Sequence, residues 1–207
     1  MTSETIVLVH GLWMNGMDMT LLRIRLRKSG YHCQQFCYAT VRKTPLQNAL
    51  DLNAYIDEID SPTVHFVCHS LGGLVIRHLF HEYPHQRPGR IVTLGTPHKP
   101  SSAAKQLSRF ALSRMTLGKS IVNGLSGNVP AWQGSHDLGV IAGTYWFGAG
   151  MLVAAIPSPS DGTVSVEETR LAGMQDHITL TASHLGLVLS RTAAKQIVYF
   201  LQHGQFK

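Results

Sequence analysis

The sequence predicts an α/β protein: a doubly wound, mostly parallel six-stranded sheet with helices on both faces, a minimal core of its class. Three observations carry this. Short β-rich runs alternate with helical patterns along most of the 207 residues, the order that a parallel sheet with crossover helices requires. Several runs are apolar throughout, as strands covered on both faces are. Residues able to do chemistry fall just past the ends of those runs, where an open parallel sheet binds its ligands.

The elements come in order. TIVLVH (Thr5–His10) reads as the first strand, and Met17–Lys28 as a helix stopped by Ser29-Gly30. Tyr31–Tyr38 is the second strand; Pro45–Ile59 is a helix with proline in its first turn. TVHFVC (Thr63–Cys68) and the helix Leu71–Tyr83 come next, then the strand RIVTL (Arg90–Leu94). The rhythm breaks at about 97–137, a small cap-like insertion with weak helical signals at Ala103–Met115 and Lys119–Leu125. LGVIAGT (Leu138–Thr144) resumes the sheet. A Gly/Pro/Ser-rich loop, Trp146–Val164, carries the apolar run GAGMLVAAIP before the last strand, His177–Thr181, and the last helix, Ser190–Gln202.

Length and composition fit a single domain over 1–207, 44% hydrophobic and 14% charged. No run of about 18 apolar residues predicts a spanning helix. MTSETIVLVHG lacks the basic and apolar regions of a signal peptide, so a cytoplasmic location is expected. Cys33 and Cys37, four residues apart in a strand, would lie about 13 Å apart, against about 4.4–6.8 Å for a disulfide. Cys68 sits in another element, and all three are expected to be reduced. The net charge of +6 is uneven: between Thr96 and His136 lie Lys99, Lys105, Arg109, Arg114 and Lys119 with no Asp or Glu. No nucleic-acid motif accompanies them, so a solvated cationic surface is expected.

The chemistry is legible at the strand ends. His10-Gly11-Leu12-Trp13 comes after the first, Cys68-His69-Ser70-Leu71-Gly72-Gly73 after the third, Ser160-Asp161-Gly162-Thr163-Val164 after the fifth, and Ser183-His184-Leu185 after the sixth. Ser, Asp and His in that chain order are the order of α/β-hydrolases. CHSLG departs from the usual G-x-S-x-G elbow at its first residue, where Cys68 replaces glycine. The position demands a small side chain, and cysteine is a small apolar one. A buried, inert Cys68 is expected.

An unassisted serine hydroxyl is a weak nucleophile and needs a hydrogen-bonded base. His184 fits that role, and a carboxylate must fix its tautomer. Asp161 is the candidate, with Glu167, Glu168 and Asp176 as competitors; an Asp-Gly turn is its other reading, compatible with the first. Among twelve histidines, His177 begins a strand rather than ending one, and His203 lies at the far end of the last helix. The developing oxyanion needs preorganised donors, placed by position at the backbone amides of Leu12 and Leu71. Gly72 and Gly73 would let the helix pack closely on neighbouring strands. His10 is expected to hold the oxyanion loop. Trp13, Met14, His69, His98, Met151 and Leu152 are substrate-pocket candidates, His98 at the mouth of the site. His69 also reads as a packing residue beside the nucleophile, and Trp13, Met14 and Met151–Val153 as plain packing. His78, His81 and His85 read as a surface stripe. No metal site and no cofactor is expected.

Taken together, VLVHGLW, HSLGGLV, TLGTPH, SDGTVSVEETRL and SHLGLVLS make the chain resemble the α/β-hydrolase superfamily over nearly its whole length. It is similar to small bacterial lipase/esterase-like proteins, the lipase-like branch grouped with the GPI inositol-deacylases. The resemblance implies a serine hydrolase that acts on small-molecule or lipid esters through an acyl-enzyme on Ser70. Thioester or amide hydrolysis and acyl transfer would use the same residues. A non-catalytic binding protein that kept the fold is the reading from another class. Transient membrane-surface contact through GAGMLVAAIP is compatible with the first reading; no nucleic-acid partner is expected.

Overall fold

The computed structural model describes residues 4–134, 136–146 and 156–207. Six strands form one parallel sheet: β1 (Thr5–Val9), β2 (His32–Phe36), β3 (Val64–His69), β4 (Ile91–Leu94), β5 (Leu138–Gly143) and β6 (Asp176–Leu180), in the order β2-β1-β3-β4-β5-β6. The register aligns Val9 with both Phe36 and Cys68, and His69 with Leu94. The carboxyl ends of β1, β2, β3 and β4 therefore lie along one edge.

The apolar strands are covered on both faces, as their sequence requires. In β1, Ile6 and Leu8 meet Leu22 and Leu26 of α1 (Thr20–Lys28) and Ile197 and Phe200 of α7 (Arg191–His203). Val7 and Val9 point the other way, onto Leu52 and Ile56 of α2 (Pro45–Asp57) and Ile76 and Leu79 of α3 (Leu71–Glu82). Each such side chain contributes about 1.5–3 kcal/mol on burial, which makes these two layers the main source of stability. Caps set the helix starts: Thr44 accepts from Gln47 N–H in a capping box with Pro45 at the first position, and Ser190 accepts from Ala193 N–H. The helix stop after Lys28 is as expected, with Gly30 at φ 96°.

The structure corrects several boundaries. β2 ends at Phe36, because the Tyr38 N–H donates to His10 Nε2 instead of continuing the ladder. The expected helix Ala103–Met115 is two: α4 (Ser102–Leu107) and α5 (Ala111–Leu117), broken where the Ser108 hydroxyl bonds back to the Lys105 carbonyl. At Lys119–Leu125 only the short 3-10 turn Gly118–Ile121 forms. A helix absent from the sequence reading, α6 (His184–Leu189), is started by Ser183, which accepts from Gly186 N–H; six residues are too few for periodicity to register. The expected histidine stripe does not form: His85 lies beyond α3, His81 is exposed, and His78 is buried with its Nε2–H donating to the Asn123 carbonyl at 2.7 Å.

Beyond β4 the insertion packs on the start of α3. Leu71 and Leu74 meet Ala104, Leu117 and Leu125, with Leu12 packed against them. Arg77, buried, donates to the carbonyls of His98 (2.6 Å), Val129 (3.1 Å) and Pro130 (2.9 Å). These bonds tie both ends of the inserted segment to the helix that starts just after Ser70.

Candidate active site

β3 ends at His69 and α3 begins at Leu71, so Ser70 alone makes the turn. Its backbone sits at φ 52°, ψ −119°, a conformation that costs a non-glycine residue about 1–3 kcal/mol. Three bonds hold it: Ser70 N–H donates to the Leu94 carbonyl (2.9 Å), and the Ser70 carbonyl accepts from Gly73 N–H (3.1 Å) and the Thr96 hydroxyl (2.9 Å). A side chain at Gly72 would strike the Val9 carbonyl, and one at Gly73 would strike Thr96. Both glycines are therefore fixed by close packing, as expected.

Cys68 lies one pair above this turn, between Val9 and Thr93. It is fully buried in the apolar cluster of β1, α2 and α3, and burial pushes its thiol pKa well up. That environment makes it inert.

His184 opens α6, and its Nδ1–H donates to Asp161 Oδ2 at 2.7 Å. The direction is fixed, because a carboxylate has no proton to give. Asp161 Oδ1 accepts from Thr163 N–H (2.9 Å) and Val164 N–H (2.7 Å), and the Asp161 carbonyl accepts from His184 N–H (2.9 Å). The Asp-Gly turn and the histidine contact thus coexist in one residue. The competing acids are engaged elsewhere. Glu167 pairs with Lys99, Glu168 accepts from Ser102 N–H and Ser165 N–H, and Asp176 accepts from Phe206 N–H. His177 shares a hydrogen bond with the Thr169 hydroxyl.

Gly95 joins the two halves of the site. It comes directly after Leu94, whose carbonyl anchors Ser70, and a Cβ there would lie 2.9 Å from Asp161 Oδ2 and 3.0 Å from His184 Nδ1. Gly11 closes the other side: a Cβ would lie 2.9 Å from His69 Nδ1, 3.1 Å from the Met14 sulfur and 3.2 Å from Ser70 Cβ. The loop after β1 therefore borders the serine, with Met14 beside it. That loop is held by His10, whose Nδ1–H donates to the Gly11 carbonyl (3.0 Å) while Nε2 accepts from Tyr38 N–H and the ring stacks on Tyr38 at 4.4 Å. Burial lowers the His10 pKa, which keeps the acceptor nitrogen unprotonated.

His69 sits between the halves. Its Nε2–H donates to the His184 carbonyl at 3.1 Å, and the two rings are 4.6 Å apart. Burial, and then the neighbouring His184, hold its pKa well below the usual value. Sequence reasoning misses the Gly95 contact and the Thr96 bond; their only local trace is the stretch TLGTPH. Trp13 is 55% exposed and donates from Nε1 to the Thr116 carbonyl at 2.8 Å. His98 is buried against Thr93, not at an opening, and burial lowers its pKa to about 3. Met151 and Leu152, with most of GAGMLVAAIP, lie outside the described residues. Among the described residues no cluster of His, Cys, Asp and Glu could hold a metal ion, and no helix is long and apolar enough to cross a membrane.

Comparison with solved structures gives the same architecture at low identity. The chain is similar to the lipase BlEst2 of Bacillus licheniformis (TM-score 0.74, 17% identity, 98% of this chain and 92% of that one). It is also similar to the carboxylesterase CesB of Bacillus subtilis (TM-score 0.62, 14% identity, 98% and 84%). The phospholipase PlaB of Legionella pneumophila matches with TM-score 0.70 and 14% identity, over 97% of this chain and 60% of that one. The fold is therefore that of the α/β-hydrolases; the narrower GPI inositol-deacylase branch finds no counterpart in these matches. No curated protein matches the sequence. Residues 6–128, more than half of the chain, match a family model described as a domain of unknown function, DUF7379. The chain belongs to the DUF7379 family and is built on the α/β-hydrolase fold.

Proposed function

We propose that the protein is a serine hydrolase of carboxylic esters, with Ser70 as nucleophile, His184 as base and Asp161 as its orienting carboxylate. The observation that carries this is the 2.7 Å bond from His184 Nδ1–H to the buried Asp161, mounted over the same β4 end that anchors the strained Ser70. With Nδ1 committed as a donor, Nε2 is the nitrogen left to accept the serine proton. The structural neighbours named as a lipase and a carboxylesterase favour an ester as the substrate class.

In the first step Ser70 Oγ bonds the ester carbonyl carbon while its proton passes to His184 Nε2. The carbonyl oxygen becomes an oxyanion and takes hydrogen bonds from the amides of Leu12 and Leu71. Leu71 is the first residue of α3, where the N–H has no i−4 carbonyl within the helix and the helix carries partial positive charge. Collapse breaks the bond to the alkoxy oxygen, which leaves as the alcohol with the proton from His184. Water then attacks the acyl-enzyme and gives a proton to His184; collapse breaks the bond to Ser70 Oγ, which takes that proton back, and the acid leaves. Asp161 stays ionised and stabilises the imidazolium at each stage. Met14, beside Gly11, and Trp13 would line the acyl side.

The test is hydrolysis of p-nitrophenyl esters of graded chain length. Ser70→Ala and His184→Ala should each lower kcat by at least about 10³-fold, with Asp161→Asn the mildest of the three. A fluorophosphonate should label the parent and not Ser70→Ala. Equal labelling of both would remove the enzyme reading and leave a binding protein on the same fold.

A further inference from the structure

The most exposed large apolar side chains among the described residues lie at one end of the molecule. Trp13 and Met17 come after β1, Phe110, Met115 and Val122 after β4, Tyr145 and Trp146 after β5 and Leu185 after β6. Trp13, Tyr145, Trp146 and Leu185 lie within a few residues of the carboxyl ends of their strands, the end that holds Ser70. Met17 is 77% exposed, Met115 75% and Phe110 67%. Single exposed apolar residues are ordinary, but a group of this size is not. The bond from Trp13 to Thr116 places the β1 loop directly against α5, so the two contributions adjoin.

The same end is cationic. Lys105, Arg109, Arg114 and Lys119 are exposed on the insertion, and no carboxylate lies between Thr96 and His136 to balance them. Lys99 differs, because Glu167 pairs with it. Exposed Trp, Phe and Met among unbalanced Lys and Arg match the two layers of an anionic lipid surface, acyl chains below and negative headgroups above. A second copy of the chain is a poor occupant, since a two-fold contact of this patch with itself would oppose cation to cation.

We infer that the rim formed by the β1 loop and residues 105–119 of the insertion docks on anionic phospholipid bilayers and presents Ser70 to esters held there. The inference rests on the hydrolase reading for its purpose, though not for its measurement.

Vesicle co-sedimentation of the whole Ser70→Ala chain tests it, comparing phosphatidylcholine alone with an equal mixture of phosphatidylcholine and phosphatidylglycerol. Partition into the mixed vesicles should be at least about tenfold stronger, each basic residue near such a surface adding to it. Phe110→Asp with Met115→Glu should lower that partition about tenfold or more by removing the inserted apolar groups. Lys105→Glu with Arg109→Glu, Arg114→Glu and Lys119→Glu should abolish the preference for the mixed vesicles. Placed in the Ser70 protein, both sets should hydrolyse soluble p-nitrophenyl butyrate within about twofold of the parent, since neither touches the reacting groups.

Parent protein that stays in the supernatant with mixed vesicles would overturn the proposal, as would variants that pellet like the parent. So would a concentration-dependent dimer that Met115→Glu abolishes, which would make this face a contact between copies. Failure of the hydrolase reading shows separately, as ester turnover surviving Ser70→Ala while vesicle binding is intact.

Discussion

At the level of single residues, the odd letter in CHSLG becomes a packing choice. Cys68 fills space in the cluster with Val9, Phe66 and Val75, and its thiol is too buried to ionise. Cys68→Gly should therefore lower stability by about 1–2 kcal/mol, from lost apolar burial and a glycine in a central strand. Ester turnover should stay within about threefold, because the bonds that hold Ser70 come from Leu94, Gly73 and Thr96. Urea denaturation and the p-nitrophenyl assay read the two quantities separately, and a collapse of turnover with the fold intact would show that the cysteine aims the elbow. His69 illustrates what one residue's sequence context hides. Its neighbour in the chain is Ser70, but its hydrogen bond goes to the carbonyl of His184, 115 positions away.

At the level of elements, α3 does two jobs. Its first turn lies next to Ser70, and its middle holds the insertion through Arg77 and His78. Arg77 has only carbonyl partners among the described residues, so its removal leaves the His98, Val129 and Pro130 carbonyls without their donor. Arg77→Met should cost about 3 kcal/mol by the loss of charge-assisted bonds at a buried site. Limited trypsin digestion should then cut first at Lys105 to Lys119, ahead of global unfolding; unchanged cleavage there would mean that apolar packing alone holds the insertion. The helical signals of the insertion are visible in its sequence, but not the break at Ser108, which depends on local back-bonding. α6 leaves no periodic trace, because a six-residue helix is made by its cap and its packing rather than by a repeating pattern.

At the level of the whole molecule, five buried histidines bias stability against acid. His10, His65, His69, His78 and His98 all have pKa values lowered chiefly by burial, His98 to about 3. In the unfolded chain each titrates near its ordinary value of about 6.5. Above that pH both states are neutral and these groups contribute no slope. Below it the unfolded state binds protons that the folded state refuses, so stability falls with pH, by up to about 1.4 kcal/mol per unit for each group. Thermal unfolding should show a Tm that is flat from these groups above about pH 7 and declines steadily toward pH 5. His98→Asn should flatten the lower part of that decline. A Tm profile with the same slope in the variant would show that His98 is not held neutral.

The sequence by itself determined the alternation of strands and helices, the two-faced burial of the sheet, and the order of Ser70, Asp161 and His184 along one edge. These are local properties, written in apolar runs, turn residues and the few positions just past each strand end. Tertiary structure alone decided which groups meet. Gly95 under the Asp161–His184 pair, Thr96 on the Ser70 carbonyl and Arg77 on the insertion are contacts between residues far apart in the chain, and nothing in their immediate neighbours specifies them. The exposed apolar rim is likewise invisible along the chain. Trp13, Phe110, Met115, Trp146 and Leu185 look like isolated apolar residues until a parallel sheet brings every strand-end loop to the same side.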